Sequence, residues 1–206
     1  MTISLALLEE AKRLRAKKRF SQNFLIDETI LSQIVCVISE SESDAPQTIL
    51  EIGPGSGFLT QTILEQTEHP VLGVELEHSM LWHLKRKFAQ ELAETPSRLT
   101  LLEADFLKVD LTTVGPDNAP YKIVGNIPYN ITSPILFHIC GEMDALEHPP
   151  RQRVQQTTLM VQKEVGERVC AAPSTKAYNP LSIALQVWFE TRYEFTVPAR
   201  AFLPSP

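Results

Sequence analysis

Residues 51–58, EIGPGSGF, leave few folds open. Glycines alternate at 53, 55 and 57, directly after the short apolar run TILEI (48–52) and directly before the helical spacing of FLTQTILEQ. A strand that ends in such a turn and continues as a helix is the opening unit of an open α/β sheet. The pattern then recurs. VLGVE (71–75) is a second strand, followed by a helical segment from Glu77 to about Leu92. LTLLEAD (99–105), YKIVGN (121–126) and TTLMVQ (157–162) are further apolar runs of strand length. ITSPILFHICGEM is helical after its proline, with Thr132 or Ser133 as N-cap. Pro, Ser, Asp and Asn cluster at 39–47, 112–120, 144–156 and 171–180, which predicts loops there. The expected architecture is a mainly parallel sheet with helices on both faces. Its ligands belong beyond the carboxyl ends of the strands, where the strand order reverses.

Composition narrows the function classes. With 206 residues, 43 % hydrophobic and 21 % charged, the chain can bury one sizeable core plus a small appendage. No apolar run approaches a membrane span. The amino terminus places Glu9 and Glu10 after a short apolar stretch, the wrong order for a secretory signal, so a cytoplasmic location is expected. Cys36, Cys140 and Cys170 are far apart and read as buried thiols in a reducing compartment. His78 and His83 lie five apart on one helical segment, a poor spacing for a shared ion, and no metal site is expected.

Three strand ends suggest one ligand. The turn at Gly53, Gly55 and Gly57 lets backbone approach a bound molecule, and the next helix presents free N–H groups. Its G-x-G-x-G spacing, with Glu51 ahead and Pro54 inside, departs from the G-x-G-x-x-G of dinucleotide sites. It is the form more usual where S-adenosylmethionine binds. Glu75 ends the next strand, 22 residues after Gly53, where a carboxylate can accept both ribose hydroxyls of an adenosine. Asp105, in EADF (103–106), can accept from an adenine amino group. Alone it is little more than a turn aspartate; with Gly53 and Glu75 it completes an adenosine site.

The fourth strand runs into NIPYN (126–130). An exocyclic adenine amine is a poor nucleophile because its lone pair is delocalised into the ring. To attack a sulfonium methyl it must be positioned, with acceptors for its developing positive charge. The Asn126 side-chain oxygen and the Ile127 carbonyl can supply these, Pro128 stiffens the turn, and Tyr129 offers a face for an extruded base.

Taken in order, KKRFSQNFL (17–25), EIGPGSGFLT, GVELE, EADF, NIPYNITSPILFH, MVQKEVGERV (160–169), KAYNPLS (176–182) and AFLPSP (201–206) resemble the ribosomal RNA adenine N6,N6-dimethyltransferases. The likeness is strongest to the KsgA-like enzymes that act on two adjacent adenines near the 3′ end of small-subunit ribosomal RNA. It runs from about residue 12 to the end. The resemblance implies a Rossmann-like class I methyltransferase with a seven-stranded, mainly parallel sheet and S-adenosylmethionine as cofactor. It implies that Asn23 and Leu25 cover the methionine end of the cofactor, that Gly53 and Gly55 approach it, and that Glu75 and Asp105 hold ribose and adenine. Asn126 would bridge cofactor and target amine, with Tyr129 and Phe202 on either side of the target adenine. Ser21 and Asn179 stand where the family has glycine, both replacements tolerant of unusual backbone angles. Family members continue past F-x-P-x-P into a small helical domain; here that domain is expected to be absent. The expected division is residues 1–26, a basic arm and cofactor-covering segment, and 27–206, the methyltransferase domain.

A net charge of −6 is unusual for an RNA-binding protein, but its distribution is uneven. Lys12, Arg13, Arg15, Lys17, Lys18 and Arg19 crowd one short run beside QNFL and are candidate phosphate contacts. The partner expected is immature small-subunit ribosomal RNA, met by a monomer. Three other readings remain open: a large-subunit adenine methyltransferase of the macrolide-resistance type, a non-catalytic cofactor-binding assembly or transcription factor, and an NAD-dependent oxidoreductase. The glycine spacing disfavours the last.

Overall fold

The structure is a computed structural model that describes residues 3–14, 23–40, 47–116, 119–141 and 147–206. Of the basic run, Arg15, Lys17, Lys18 and Arg19 lie outside the described residues, as does Ser21.

Five parallel strands form the sheet: β2 (Thr48–Ile52), β3 (Val71–Glu75), β4 (Leu99–Glu103), β5 (Tyr121–Asn126) and β6 (Val154–Met160), in the order β4-β3-β2-β5-β6. The chain works outward from β2 to β4, then returns to add β5 on β2's other side. The reversal therefore falls between β2 and β5, whose ends carry the glycine turn and NIPYN. Side chains alternate across the strands. Ile49 joins a core with Leu31, Phe58, Ile63 and Leu84, while Leu50 and Ile52 join another with Ile123, Ile135 and Leu185.

The first face is covered by α1 (Leu5–Leu14), α2 (Glu28–Ser39), α3 (Phe58–Gln66) and α4 (His78–Lys87); the second by α6 (Thr132–Cys140) and α9 (Pro180–Gln186). The remaining helices α5 (Ala89–Ala93), α7 (Pro149–Arg153) and α8 (Lys163–Val169) are short. Asp27 caps α2, its Oδ1 accepting from Thr29 N at 3.0 Å and Ile30 N at 3.3 Å. At the other end the buried Lys122 ammonium donates to Ile38 O and Gln156 Nε2 donates to Val37 O at 2.9 Å. Two carbonyls of the last turn are thus satisfied by side chains from β5 and β6, which ties the helix to the sheet.

Several expectations are corrected. Among the described residues the main sheet has five strands, not seven; the other two, β1 (Phe24–Leu25) and β7 (Phe202–Leu203), pair antiparallel with each other. Residues 190–198 belong to no helix or strand. The helix expected from Glu77 to Leu92 divides at Phe88 (φ −106°, ψ 32°), whose ring is buried beneath the glycine turn. Helix α6 starts at Thr132, so neither Thr132 nor Ser133 is its cap; the Thr132 hydroxyl instead donates to Tyr129 O at 3.2 Å. The expected loop 144–156 contains α7 and the start of β6. Its Pro149 opens the helix, a position that needs no N–H. Cys36 is exposed, not buried.

Candidate active site

A cavity of about 1080 Å³ opens at the carboxyl ends of the strands, around the reversal point. Asn23, Leu25, Gly53, Gly55, Glu75, Asp105, Asn126, Tyr129 and Phe202 all line it. Lys12 and Arg13 do not; they are exposed in the last turn of α1.

The glycine turn forms one wall. Gly53, Gly55 and Gly57 all take positive φ, at 62°, 54° and 74°. A Cβ on Gly53 would meet no atom within 4 Å, so that backbone faces open space and not protein. A Cβ on Gly57 would lie 2.7 Å from the Phe88 ring and 2.8 Å from Leu84, so here the glycine admits the core beneath. Two different needs produce one motif.

Glu75 sits buried beside this turn, its Oε2 accepting from Gly55 N at 3.0 Å and its Oε1 from Glu77 N at 2.8 Å. Burial raises its pKa, against the lowering effect of these N–H groups. The two bonds hold the carboxylate in one orientation, with lone pairs left for diol hydroxyls. Asp105 follows β4. Its Oδ1 accepts from Leu107 N at 3.1 Å, as a turn aspartate would, while Oδ2 lies 3.9 Å from Lys108 Nζ. Asp105 is therefore a turn aspartate that also lines the cavity.

The opposite wall is NIPYN. Asn126 Nδ2 donates to Asn23 O at 2.8 Å, leaving Oδ1 as the atom able to accept. Residues 103 positions apart are joined, and the segment carrying Asn23 is tied to the end of β5. Behind it, Leu25 pairs with Phe202 across the antiparallel ladder, and Ile26 N donates to Ala201 O at 2.8 Å. Tyr129 is half-buried and burial raises its phenol pKa. Phe202 is only 5 % exposed and packs in the core, so of the two rings Tyr129 is the more accessible.

Sequence reasoning noted Glu51 without assigning it a task. It is 2 % exposed, lines the same cavity, and accepts the Thr60 hydroxyl at 2.6 Å. Desolvation raises its pKa to about 7, opposed by the Thr60 bond and aided by the charge of Glu75. A carboxylate inside the apolar run TILEI was the available signal. The wall from Phe189 to Val197 carried no such signal, because nothing in its sequence shows which surface it covers. Asn179, read as a stand-in for glycine, is extended (φ −149°) and caps α9; its Oδ1 accepts from Leu181 N at 2.8 Å. His78 and His83 are not part of the cavity lining and go separate ways: His78 meets Glu103 at 2.9 Å, and His83 meets Glu10 at 3.5 Å.

A parallel sheet with this order, a glycine turn at its reversal point and acids on the next two strands define a Rossmann-like methyltransferase fold. The chain belongs to the ribosomal RNA adenine dimethylase family, whose profile matches residues 13–206. It is 37 % identical to ribosomal RNA small subunit methyltransferase A of Alcanivorax borkumensis, across 95 % of this chain and 63 % of that protein. With the protein of the same name from Thiobacillus denitrificans the identity is 43 %, across 92 % and 66 %. The chain thus spans a little under two thirds of the length of these curated relatives. Among solved structures, a dimethyladenosine transferase from Plasmodium falciparum superimposes with a TM-score of 0.68 at 27 % identity, covering 87 % of this chain and 58 % of that one. The 23S rRNA methyltransferase ErmE gives 0.53 at 26 %, covering 71 % and 50 %. Among the described residues no helix is long and apolar enough to cross a membrane.

Proposed function

We propose that this chain is the S-adenosylmethionine-dependent catalytic part of an enzyme that dimethylates N6 of two adjacent adenines near the 3′ end of small-subunit ribosomal RNA. The observation that carries this reading is the Asn126 amide, tied to Asn23 O so that Oδ1 is left to accept, in a cavity shared with Gly53, Glu75 and Asp105.

When bound, S-adenosylmethionine supplies an electrophilic methyl group. The open face of Gly53 suits close backbone approach, Glu75 would hold the ribose and Asp105 the adenine, with Asn23 and Leu25 closing over the far end. Asn126 Oδ1 would accept from the target amine, align its lone pair and stabilise the positive charge that grows on N6. The methyl group that the cofactor would supply replaces a proton on N6, which solvent would take, with Asn126 Oδ1 holding the amine in place. Tyr129 would receive the face of the extruded base, with Phe202 forming the wall behind. Lys12 and Arg13, together with Arg15, Lys17, Lys18 and Arg19, would contact phosphates. The same reading has the protein act as a monomer on immature small subunits in the cytoplasm.

The test is methyl transfer from labelled cofactor to immature small ribosomal subunits and to large-subunit RNA, with the modified base mapped. Dimethyladenosine near the 3′ end of the small-subunit RNA is expected. Modification of large-subunit RNA alone would transfer the assignment to the ErmE-like alternative. In the same assay Asn126→Ala, in a full-length protein, should lower transfer by about 10²–10³, the scale for loss of one preorganised polar contact.

A further inference from the structure

Away from the cavity, α1 and α4 border a groove of about 450 Å³, of whose lining the reading above uses Arg13 alone. Trp82 stands on its α4 side, 58 % exposed, with the Arg86 guanidinium 4.7 Å from the ring centroid. Arg13 and Leu14, in the last turn of α1, form the other side. The last turn of α4 adds Lys87 to the lining. Glu10 is the acid of the lining, and it is engaged by Lys87 at 2.9 Å and His83 at 3.5 Å. Among the described residues neither Arg13 nor Arg86 has a carboxylate partner. Groove and cavity are back to back: Lys87 Nζ and His83 Nε2 approach Ser56 O at 3.4 and 3.3 Å, and Ser56 lines the cavity.

We propose that this groove is a second RNA contact, which takes one unpaired nucleotide outside the catalytic cavity, its base against Trp82 and its phosphate between Arg13 and Arg86. Charge complementarity selects the occupant. In a chain of net charge −6, an accessible indole is bordered by two arginines that have no carboxylate partner among the described residues, the combination that binds single strands through stacking and phosphate neutralisation. The Arg86–Trp82 stack, one helical turn apart, holds both groups in place before binding, so less order is lost when RNA arrives. The proposal rests on the RNA-modifying reading above and adds Trp82 and Arg86 to it.

The experiment measures affinity of the chain for a short single-stranded oligoribonucleotide across a salt series, for wild type, Trp82→Ala, Trp82→Phe and Arg86→Gln. Trp82→Ala should weaken binding by about 5- to 150-fold, the range for losing one stacked base, while Trp82→Phe retains most of it. Arg86→Gln should reduce the salt slope by roughly 0.7, the value for one lost phosphate contact to a single strand. S-adenosylhomocysteine affinity should be unchanged in all three, which checks the fold. Trp82 and Trp188 are the two tryptophans, so quenching on RNA addition should disappear in Trp82→Phe. Wild-type RNA affinity and salt slope in both Trp82→Ala and Arg86→Gln would overturn the proposal and leave the RNA reading standing, as for a groove that serves a protein or merely a local Arg–Trp stack. No RNA binding by wild type would sink that reading, and the proposal with it.

Discussion

Two buried carboxylates stand close together around the glycine turn, and their environments set them apart. Glu75 accepts from the backbone N–H groups of Gly55 and Glu77, while Glu51 relies on Thr60, through its hydroxyl and backbone, and has the charge of Glu75 nearby. Glu51 binds its proton more tightly folded than unfolded, with a pKa near 7 against an ordinary 4.5. Its contribution to stability is therefore complete below about pH 4.5 and is lost as pH rises through 7. Glu51→Gln cannot charge and escapes that loss, so its melting temperature relative to wild type should climb between pH 5 and pH 8. A difference that stays flat across that range would mean that Glu51 titrates like an exposed carboxylate. Glu75 should show itself through the cofactor instead. Glu75→Ala should weaken S-adenosylhomocysteine binding by roughly 10- to 150-fold, since hydrogen bonds to a charged group are worth about 1.5–3 kcal/mol. Calorimetry with unchanged affinity would remove Glu75 from the ribose position.

At the scale of elements, the glycine turn makes a prediction in which two neighbouring substitutions diverge. Gly57 precedes α3 with φ 74°, and an added Cβ would strike Phe88 and Leu84 in the core. Gly57→Ala should cost roughly 1–3 kcal/mol from overpacking, plus about 1–2 for the left-handed backbone. Gly53→Ala bears the backbone cost alone, since its Cβ would enter open space, but that space belongs to the cavity. Denaturant melts should place Gly57→Ala well below Gly53→Ala, and cofactor titration should show Gly53→Ala binding more weakly than wild type. Equal stability losses would mean that Phe88 and Leu84 yield easily. Element positions were read more accurately than element ends. All five strands of the main sheet were anticipated; β2, β3 and β5, the three inner ones, are largely buried and read most plainly as apolar runs. The break at Phe88 and the helix at Pro149 were not anticipated, because each depends on what the segment packs against.

Across the whole molecule, the three cysteines report how the fold distributes protection. Cys36 faces out from α2, Cys170 is half-buried, and Cys140 is buried on α6 with its pKa raised to about 12 by desolvation. Thiolate is the reactive form, so burial and pKa act in the same direction. A thiol reagent at neutral pH should modify one cysteine rapidly, identified by mass spectrometry as Cys36. Cys140 should react only in step with global unfolding in denaturant. Rapid labelling of Cys140 in the native chain would mean that the α6 face opens locally, independently of the sheet.

The strand–turn–helix order and the motifs that end the strands, at Gly53, Glu75, Asp105 and Asn126, were legible in the sequence alone. Those properties follow from local periodicity and from glycine spacing, which neighbours in the chain decide. Tertiary structure decided what depends on residues far apart. It joined Asn126 to Asn23, turned Glu51 into a buried acid held by Thr60, and paired Leu25 with Phe202. It also brought the end of α1 beside α4, so that Arg13, Trp82 and Arg86 border one groove. The physical reason is range. Periodicity records which face of an element is apolar, but only packing selects which distant polar groups meet behind that face and lose their water together.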